Sequence, residues 1–192
     1  MAAAAEIFPL ADGAMRPQMV LGAAATAAAT ANASLIDRCN SDSFNGLDVF
    51  GAKVLSVNAT PISNHTSYTA AYQGTTINGT WSGTNFCNVT VQYTHPGRDD
   101  EINVYLVLPF QGWNQRFLGV GGGGWITGEP PDTLAPLTQQ GYAAATTDGG
   151  HSLYSTTATD WAMDSPGNVN LNLFQDFASV ALDREAGHCS FL

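Results

Sequence analysis

Arg116-Phe-Leu-Gly-Val-Gly-Gly-Gly-Gly-Trp125 is the stretch on which the reading of this chain turns. A short apolar run enters four successive glycines, and a tryptophan closes them. Without Cβ atoms such a backbone reaches positive φ and approaches a ligand closely, so its N–H groups can be aimed at a developing negative charge. That is the chemistry of an oxyanion hole, with Gly121, Gly122, Gly123 and Gly124 as the candidate loop. A flexible glycine turn is the competing reading, and these residues alone leave both open.

The flanks of the loop give it a setting. Glu101-Ile-Asn-Val-Tyr-Leu-Val-Leu-Pro109 reads as a strand stopped by proline, and Phe117-Leu-Gly-Val120 as a short buried strand leading into the glycines. Leu134 to Gln140 can form a short helix ending at Gly141. Tyr142-Ala-Ala-Ala-Thr-Thr147 then reads as a buried strand running into Asp148-Gly-Gly-His151. Further on, apolar residues at 171, 173, 174, 177, 178, 181 and 182 make a helical face over Asn170 to Leu182. Upstream, Asp48 to Val57 and Cys87 to Tyr93 alternate as half-buried strands do. The expected fold class is therefore α/β, a β-rich segment followed by the first half of a hydrolase sheet, incomplete within these residues.

Composition excludes some partners. The 192 residues are 44% hydrophobic, enough for one domain with a core, and only 11% charged. Acids outnumber bases 16 to 6, for a formal charge of -10. Lys53 is the only lysine and the arginines are scattered, so no basic patch exists for a phosphate backbone and nucleic acid is not an expected partner. The few charges and many Thr, Ser, Asn and Gly residues suit an acidic extracellular setting.

The N-terminus reads as an address. From Met15, one positive charge, an alanine-rich stretch and small residues at Ala31 and Ala33 fit a secretory signal cleaved after Ala33, with Met15 as an alternative start. The stretch is too poor in large apolar residues to span a membrane, so no membrane partner is expected. A disordered Ala/Thr-rich tail is the other reading. Four sequons follow, Asn58-Ala-Thr60, Asn64-His-Thr66, Asn78-Gly-Thr80 and Asn88-Val-Thr90, as expected of a glycosylated secreted chain. Asn32-Ala-Ser34 straddles the proposed cleavage point. In an oxidising compartment Cys39 and Cys87 are natural partners, leaving Cys189 over for an intermolecular bond or an absent partner.

Three blocks then carry a family resemblance. Cys87-Asn-Val-Thr-Val-Gln-Tyr-Thr-His-Pro-Gly97, the Trp113 to Trp125 run and Gly141-Tyr-Ala-Ala-Ala-Thr-Thr-Asp-Gly-Gly-His151 together resemble the fungal tannase and feruloyl esterase family, as does Leu173-Phe-Gln-Asp-Phe-Ala-Ser179. The likeness runs from about Cys39 to Leu182. It implies a secreted serine carboxylesterase acting on phenolic acid esters, with an α/β-hydrolase core, several disulfides and a lid domain that usually binds calcium. The expected organisation is 1–33 leader, 34–95 β-rich segment, 96–182 first half of the hydrolase core, and 183–192 a tail outside the match.

The departures bear on chemistry. In the family a Cys-Ser dipeptide in a nucleophile elbow follows the helix, and an Asp and a His-Cys pair come later. No Gly-x-Ser-x-Gly occurs here, so the expected triad is absent, with no cofactor expected in this chain and calcium assigned to the lid. His188-Cys-Ser190 contains the right letters, but a serine needs a positioned base to act. The residues therefore lead to a carboxylesterase represented by its N-terminal part and inactive by itself. A secreted non-catalytic glycosylated binding module and a non-functional fragment are the alternatives. The strand over Tyr142 to Thr147 is expected to sit beside the absent nucleophile strand with its edge open, making the chain marginal as a folded object.

Other side chains are weaker candidates. Asp148 and His151 could form an acid/base pair or part of a metal site, but a local turn with Asp148 bonding backbone N–H groups is the favoured reading. His65 and His95 read as ordinary loop residues. Trp113, Trp125 and Trp161 read as packing aromatics, with Trp125 best placed to line a pocket for a phenolic ring. Oligomeric state, and tannin against feruloyl substrates, stay open.

Overall fold

The computed structural model describes residues 35–72, 75–182 and 184–185. The leader, including Met15, and His188, Cys189 and Ser190 lie outside the described residues.

Alternating Thr, Ser, Val and Ala residues build a long antiparallel hairpin, β1 (Lys53–Tyr72) against β2 (Thr75–Thr94). Both strands outrun the alternating segments seen in the sequence. Pro61 is tolerated because β1 is a sheet edge, where a missing N–H removes no ladder bond. Register shifts between Ile62 and Thr69 absorb Asn64, which sits at φ 53° and donates its amide N–H to the Asn85 Oδ1 at 2.9 Å.

Strand β3 (Ile102–Pro109) pairs antiparallel with β2 from Tyr93↔Ile102 to Phe86↔Pro109. The segments on either side of residue 95 thus share one sheet. Strand β4 (Phe117–Gly119) enters the glycine run. A 3-10 turn (Pro131–Thr133) and helix α1 (Ala135–Gln139) then lead to β5 (Ala143–Thr147). Strand order is β1-β2-β3-β5-β4, with β4 and β5 parallel and the other pairs antiparallel. A second, two-stranded sheet joins β6 (Met163–Ser165) to β7 (Asn168–Val169). Helix α2 (Leu171–Gln175) follows, capped by the Asn170 side chain, which accepts from the Leu173 N–H, and continues into a π turn (Asp176–Val180).

The pleat sends alternate residues to two cores. One face packs Val89, Val91, Tyr93, Ile102, Val104, Leu106 and the bridged Cys39 and Cys87 with Ala181 of the C-terminal helical segment. The other packs Phe86, Val107 and Ala144 under Leu134, Ala135 and Leu137. The result is a mixed α/β arrangement around one five-stranded sheet, and among the described residues no helix is long and apolar enough to cross a membrane.

Three expectations need correction. Strand β5 has no open edge, because β3 and β4 flank it; the outer strand on that side is β4. A βαβ crossover can return the chain to either side of its first strand, and periodicity does not say which. Strand β4 is accordingly not buried: Phe117 and Leu118 are each more than a third exposed. The C-terminal helical face is also different from its apolar pattern. Leu171 and Phe174 face outward while Asp176 is fully buried, because the π turn shifts the inward register to Asp176, Ala181 and Glu185.

Candidate functional site

The glycine run leaves β4 at the carboxyl end of the parallel pair, the end of an α/β sheet where ligands bind. Its root is fixed by the Val120 N–H on the Ala145 carbonyl at 2.8 Å, and its waist by the Gly122 N–H on the Thr127 carbonyl at 2.8 Å. A bridge between Gly121 and Gly128 closes the loop. Of the four candidate glycines, Gly122 has thus committed its amide, whereas Gly123 and Gly124 are exposed together with Trp125. Gly124 sits at φ 65°, a conformation that favours glycine.

The far side of the loop is tied to its neighbours. The Thr146 hydroxyl donates to the carbonyls of Val120 and Glu129, both at 3.0 Å. Glu129, itself buried, accepts from the Thr76 hydroxyl at 2.6 Å and so links the tip of the long hairpin to the loop. Beside Gly119, the buried Glu185 carboxyl is pushed up to about 7 by its burial.

Asp148 and His151 do not form an acid/base pair. The Asp148 carboxylate accepts from the Gly150 amide at 2.9 Å, a local turn bond, and from the Asn103 amide at 2.9 Å and the Asn103 side chain at 2.7 Å, which tie the turn to β3. Burial raises its carboxyl above the usual range, and these bonds oppose the rise. The His151 ring turns instead to the glycine loop, with Nε2 3.0 Å from the Trp125 carbonyl. Trp125 is 42% exposed, and its ring lies 5.8 Å from Phe177. Trp161 is a packing residue, buried and stacked on His151, whereas Trp113 is half exposed at the opposite end of the sheet.

His95 is not an ordinary loop residue. It is buried, with Nδ1 2.7 Å from Asp100 Oδ2 and 3.6 Å from Asp176 Oδ1, and Arg98 reaches the same Asp176 oxygen at 3.2 Å. His65 belongs to β1, its ring edge-on to Phe86. The signal for the His95 cluster was faint, since Asp176 lies far along the chain and meets His95 only through the π turn. His95, Asp100 and Asp176 bring one potential metal ligand each within 4.8 Å of one another. Calcium, with about six to eight oxygen ligands, does not fit one nitrogen and two carboxylates. The adjacent Arg98 guanidinium makes this an ion-pair cluster.

Burial first, then the neighbouring Asp100 charge, raises the Asp176 carboxyl to about 6, while His95 and Arg98 oppose the rise. Asp100 moves the other way: burial works to raise it, but bonds from the His95 amide, the His95 ring and the Thr94 hydroxyl prevail and lower it. A carboxyl raised in the folded state binds its proton more tightly there, so its stabilisation is complete below its free value of 3.8 and is lost as pH rises through about 6. Asp176→Asn is therefore expected to remove on the order of 2 kcal/mol of the fall in stability between pH 4 and pH 7. Urea midpoints at four pH values check this, and an unchanged pH slope in the variant would count against it.

Of the sequon asparagines, Asn58, Asn64 and Asn78 are exposed and Asn88 is half-buried. Two sequons lie directly across the hairpin from each other, Asn58 opposite Thr90 and Thr60 opposite Asn88.

Comparison with known proteins places this geometry. The family model described as "Tannase and feruloyl esterase" matches residues 87–187, five residues beyond the end expected at Leu182. A probable feruloyl esterase from Arthroderma benhamiae is 38% identical over 98 residues, which cover 50% of this chain and 18% of that protein. A tannase from Aspergillus oryzae is 25% identical over 170 residues, 88% of this chain and 28% of its own length. Among solved structures, tannin acyl hydrolase from Aspergillus niger superposes with a TM-score of 0.57 at 23% identity, over 80% of this chain and 26% of that one. The chain therefore spans less than a third of the length of each of these proteins.

Proposed function

The chain belongs to the tannase and feruloyl esterase family, and from that premise we propose that its glycine loop is the oxyanion-stabilising element of a secreted serine carboxylesterase acting on phenolic acid esters. One observation carries the reading: Gly123, Gly124 and Trp125 are exposed on a loop whose root, waist and far side are all fixed by hydrogen bonds. Donors held in place before reaction lose nothing to reorganisation when charge develops on a carbonyl oxygen. The sheet is read as the opening part of an α/β-hydrolase core. Secretion is supported by the Cys39–Cys87 bridge, the leader-like N-terminus and the sequons.

By themselves these 192 residues are proposed to turn over no ester, since an oxyanion forms only after a nucleophile has attacked. Methyl ferulate and methyl gallate are the substrates to assay on the purified chain. Turnover abolished by Ser190→Ala would place the nucleophile in this chain and sink that part of the proposal. The absence of a Gly-x-Ser-x-Gly motif favours, as a second reading, a glycosylated module that binds phenolic esters without cleaving them.

Both readings put the aromatic ring of the ligand on Trp125. Stacking worth about 1 kcal/mol predicts that Trp125→Ala weakens binding of methyl ferulate roughly fivefold. Equilibrium dialysis of the ester against the wild-type chain and the variant measures it. Equal binding by the two would remove Trp125 from the pocket.

A further inference from the structure

We propose that His151 is the positioning residue of the glycine loop, acting as a neutral imidazole with its proton on Nε2. The inference rests on reading the loop as an oxyanion-stabilising element, but its chemistry can be judged separately. Among the described residues, the group within hydrogen-bond distance of Nε2 is the Trp125 carbonyl, at 3.0 Å. A carbonyl only accepts, so the nitrogen facing it must carry the hydrogen.

The other nitrogen settles the protonation state. Nδ1 is buried and has no hydrogen-bond partner among the described residues, and the residue as a whole is 8% exposed. With Nε2 already protonated, a proton on Nδ1 would make the ring a buried cation whose new donor has no partner, so the form that suits the site has Nδ1 bare. The ring plane is set independently of the hydrogen bond. Trp161 stacks on it with centroids 4.0 Å apart and planes 21° from parallel, and Phe177 meets it edge-on at 5.9 Å. His151 thus has an orientation fixed by aromatic packing and spends its one donor on the loop.

The consequence falls on the exposed half of the loop. Val120 and Gly122 are held by their own amides, and between Gly123 and Trp125 the backbone bond in that set is the turn bond from the Ile126 N–H to the Gly123 carbonyl, at 3.3 Å, which leaves the Trp125 carbonyl to be fixed from outside the loop. The His151 bond fixes the carbonyl at the end of that segment. With both ends held, the intervening amides keep one direction, which is what a ligand's developing charge requires of them.

Nuclear magnetic resonance on the isotope-labelled chain tests this without any assay of ester hydrolysis. The nitrogen spectrum should contain a histidine with a protonated Nε2 and a bare Nδ1 that disappears in His151→Phe. Backbone order parameters for Gly123, Gly124 and Trp125 should be near 0.85 in the wild type and below about 0.6 in His151→Phe, with strand β3 unchanged. His151→Gln, which retains an N–H donor, should restore most of the loop order. A proton on Nδ1 in the wild-type chain would overturn the proposal even if neither variant folds. Equal loop order in His151→Phe and wild type would overturn it as well, as would failure of a folded His151→Gln to restore order.

Discussion

Losing the Cys39–Cys87 bridge is expected to lower stability by about 4 kcal/mol, which for a chain of this size is a fall of roughly 8–16 °C in melting temperature. The bridge spans a sequence separation of 48 and closes one end of a long loop onto β2. Both sulfurs lie in the apolar core beside Val89 and Leu106, so the cross-link ties the segment before β1 to the centre of the sheet. In the chain-entropy account the effect acts on the unfolded state, which becomes less compact once the bridge is gone. The Cys39→Ser, Cys87→Ser double variant should therefore show both a lower urea midpoint and a steeper dependence on urea. Peptide mapping without reduction should recover the two cysteines linked. A free thiol at either position in protein from an oxidising medium would remove the basis of the prediction.

Gly128→Ala should come next, at about 3 kcal/mol or a little more, some 6–12 °C. A methyl group there would run into the Thr146 hydroxyl and lie 2.5 Å from the Thr147 carbonyl oxygen and 3.0 Å from its nitrogen. These atoms belong to β5, whose residues are buried throughout, so the strand has nowhere to move. Gly124→Ala makes the informative contrast. Its added methyl meets open space, and only the positive φ is penalised, at roughly 1 kcal/mol. Thermal melts of the two variants should differ by several degrees. Equal losses would mean that the loop does not press on β5 as described.

Local pattern carried much of this fold. Pro109 ended its strand at the residue expected, and the buried run over Ala143 to Thr147 and the helix before Gly141 came out within a residue or so of their expected limits. Hydrophobic alternation and breakers act over a few residues, and those elements depend on little else. The long hairpin was only half visible, because the alternating segments stopped at Val57 and resumed at Cys87, with Pro61, Asn64, Gly79 and Gly83 between them. In the sheet an edge position and a set of bulges accommodate such residues.

The site was legible as a glycine loop and not as an arrangement. Four glycines announce close approach, but which amide is committed to Thr127 depends on how the chain folds back on itself. His151 was visible as a residue of interest, yet its partner is a backbone carbonyl, which leaves no mark in a sequence. His95 was missed for a related reason. Its nearest carboxylate, Asp100, sits in the same connection, but the burial that makes the cluster matter comes from Asp176 on a distant helix.

The outer position of β4 also has a bearing on motion. A strand held along one side can part from its neighbour with few bonds broken, whereas β5, bonded on both flanks, opens only with the sheet. Amide hydrogens of Phe117 and Leu118 should therefore exchange with solvent deuterium long before those of Ala144 and Ala145. The glycine loop hangs from an outer strand, while the His151 turn hangs from a strand bonded on both flanks. Opening at β4 thus moves the root of the glycine loop, while β5 and the His151 turn stay in place as its reference point.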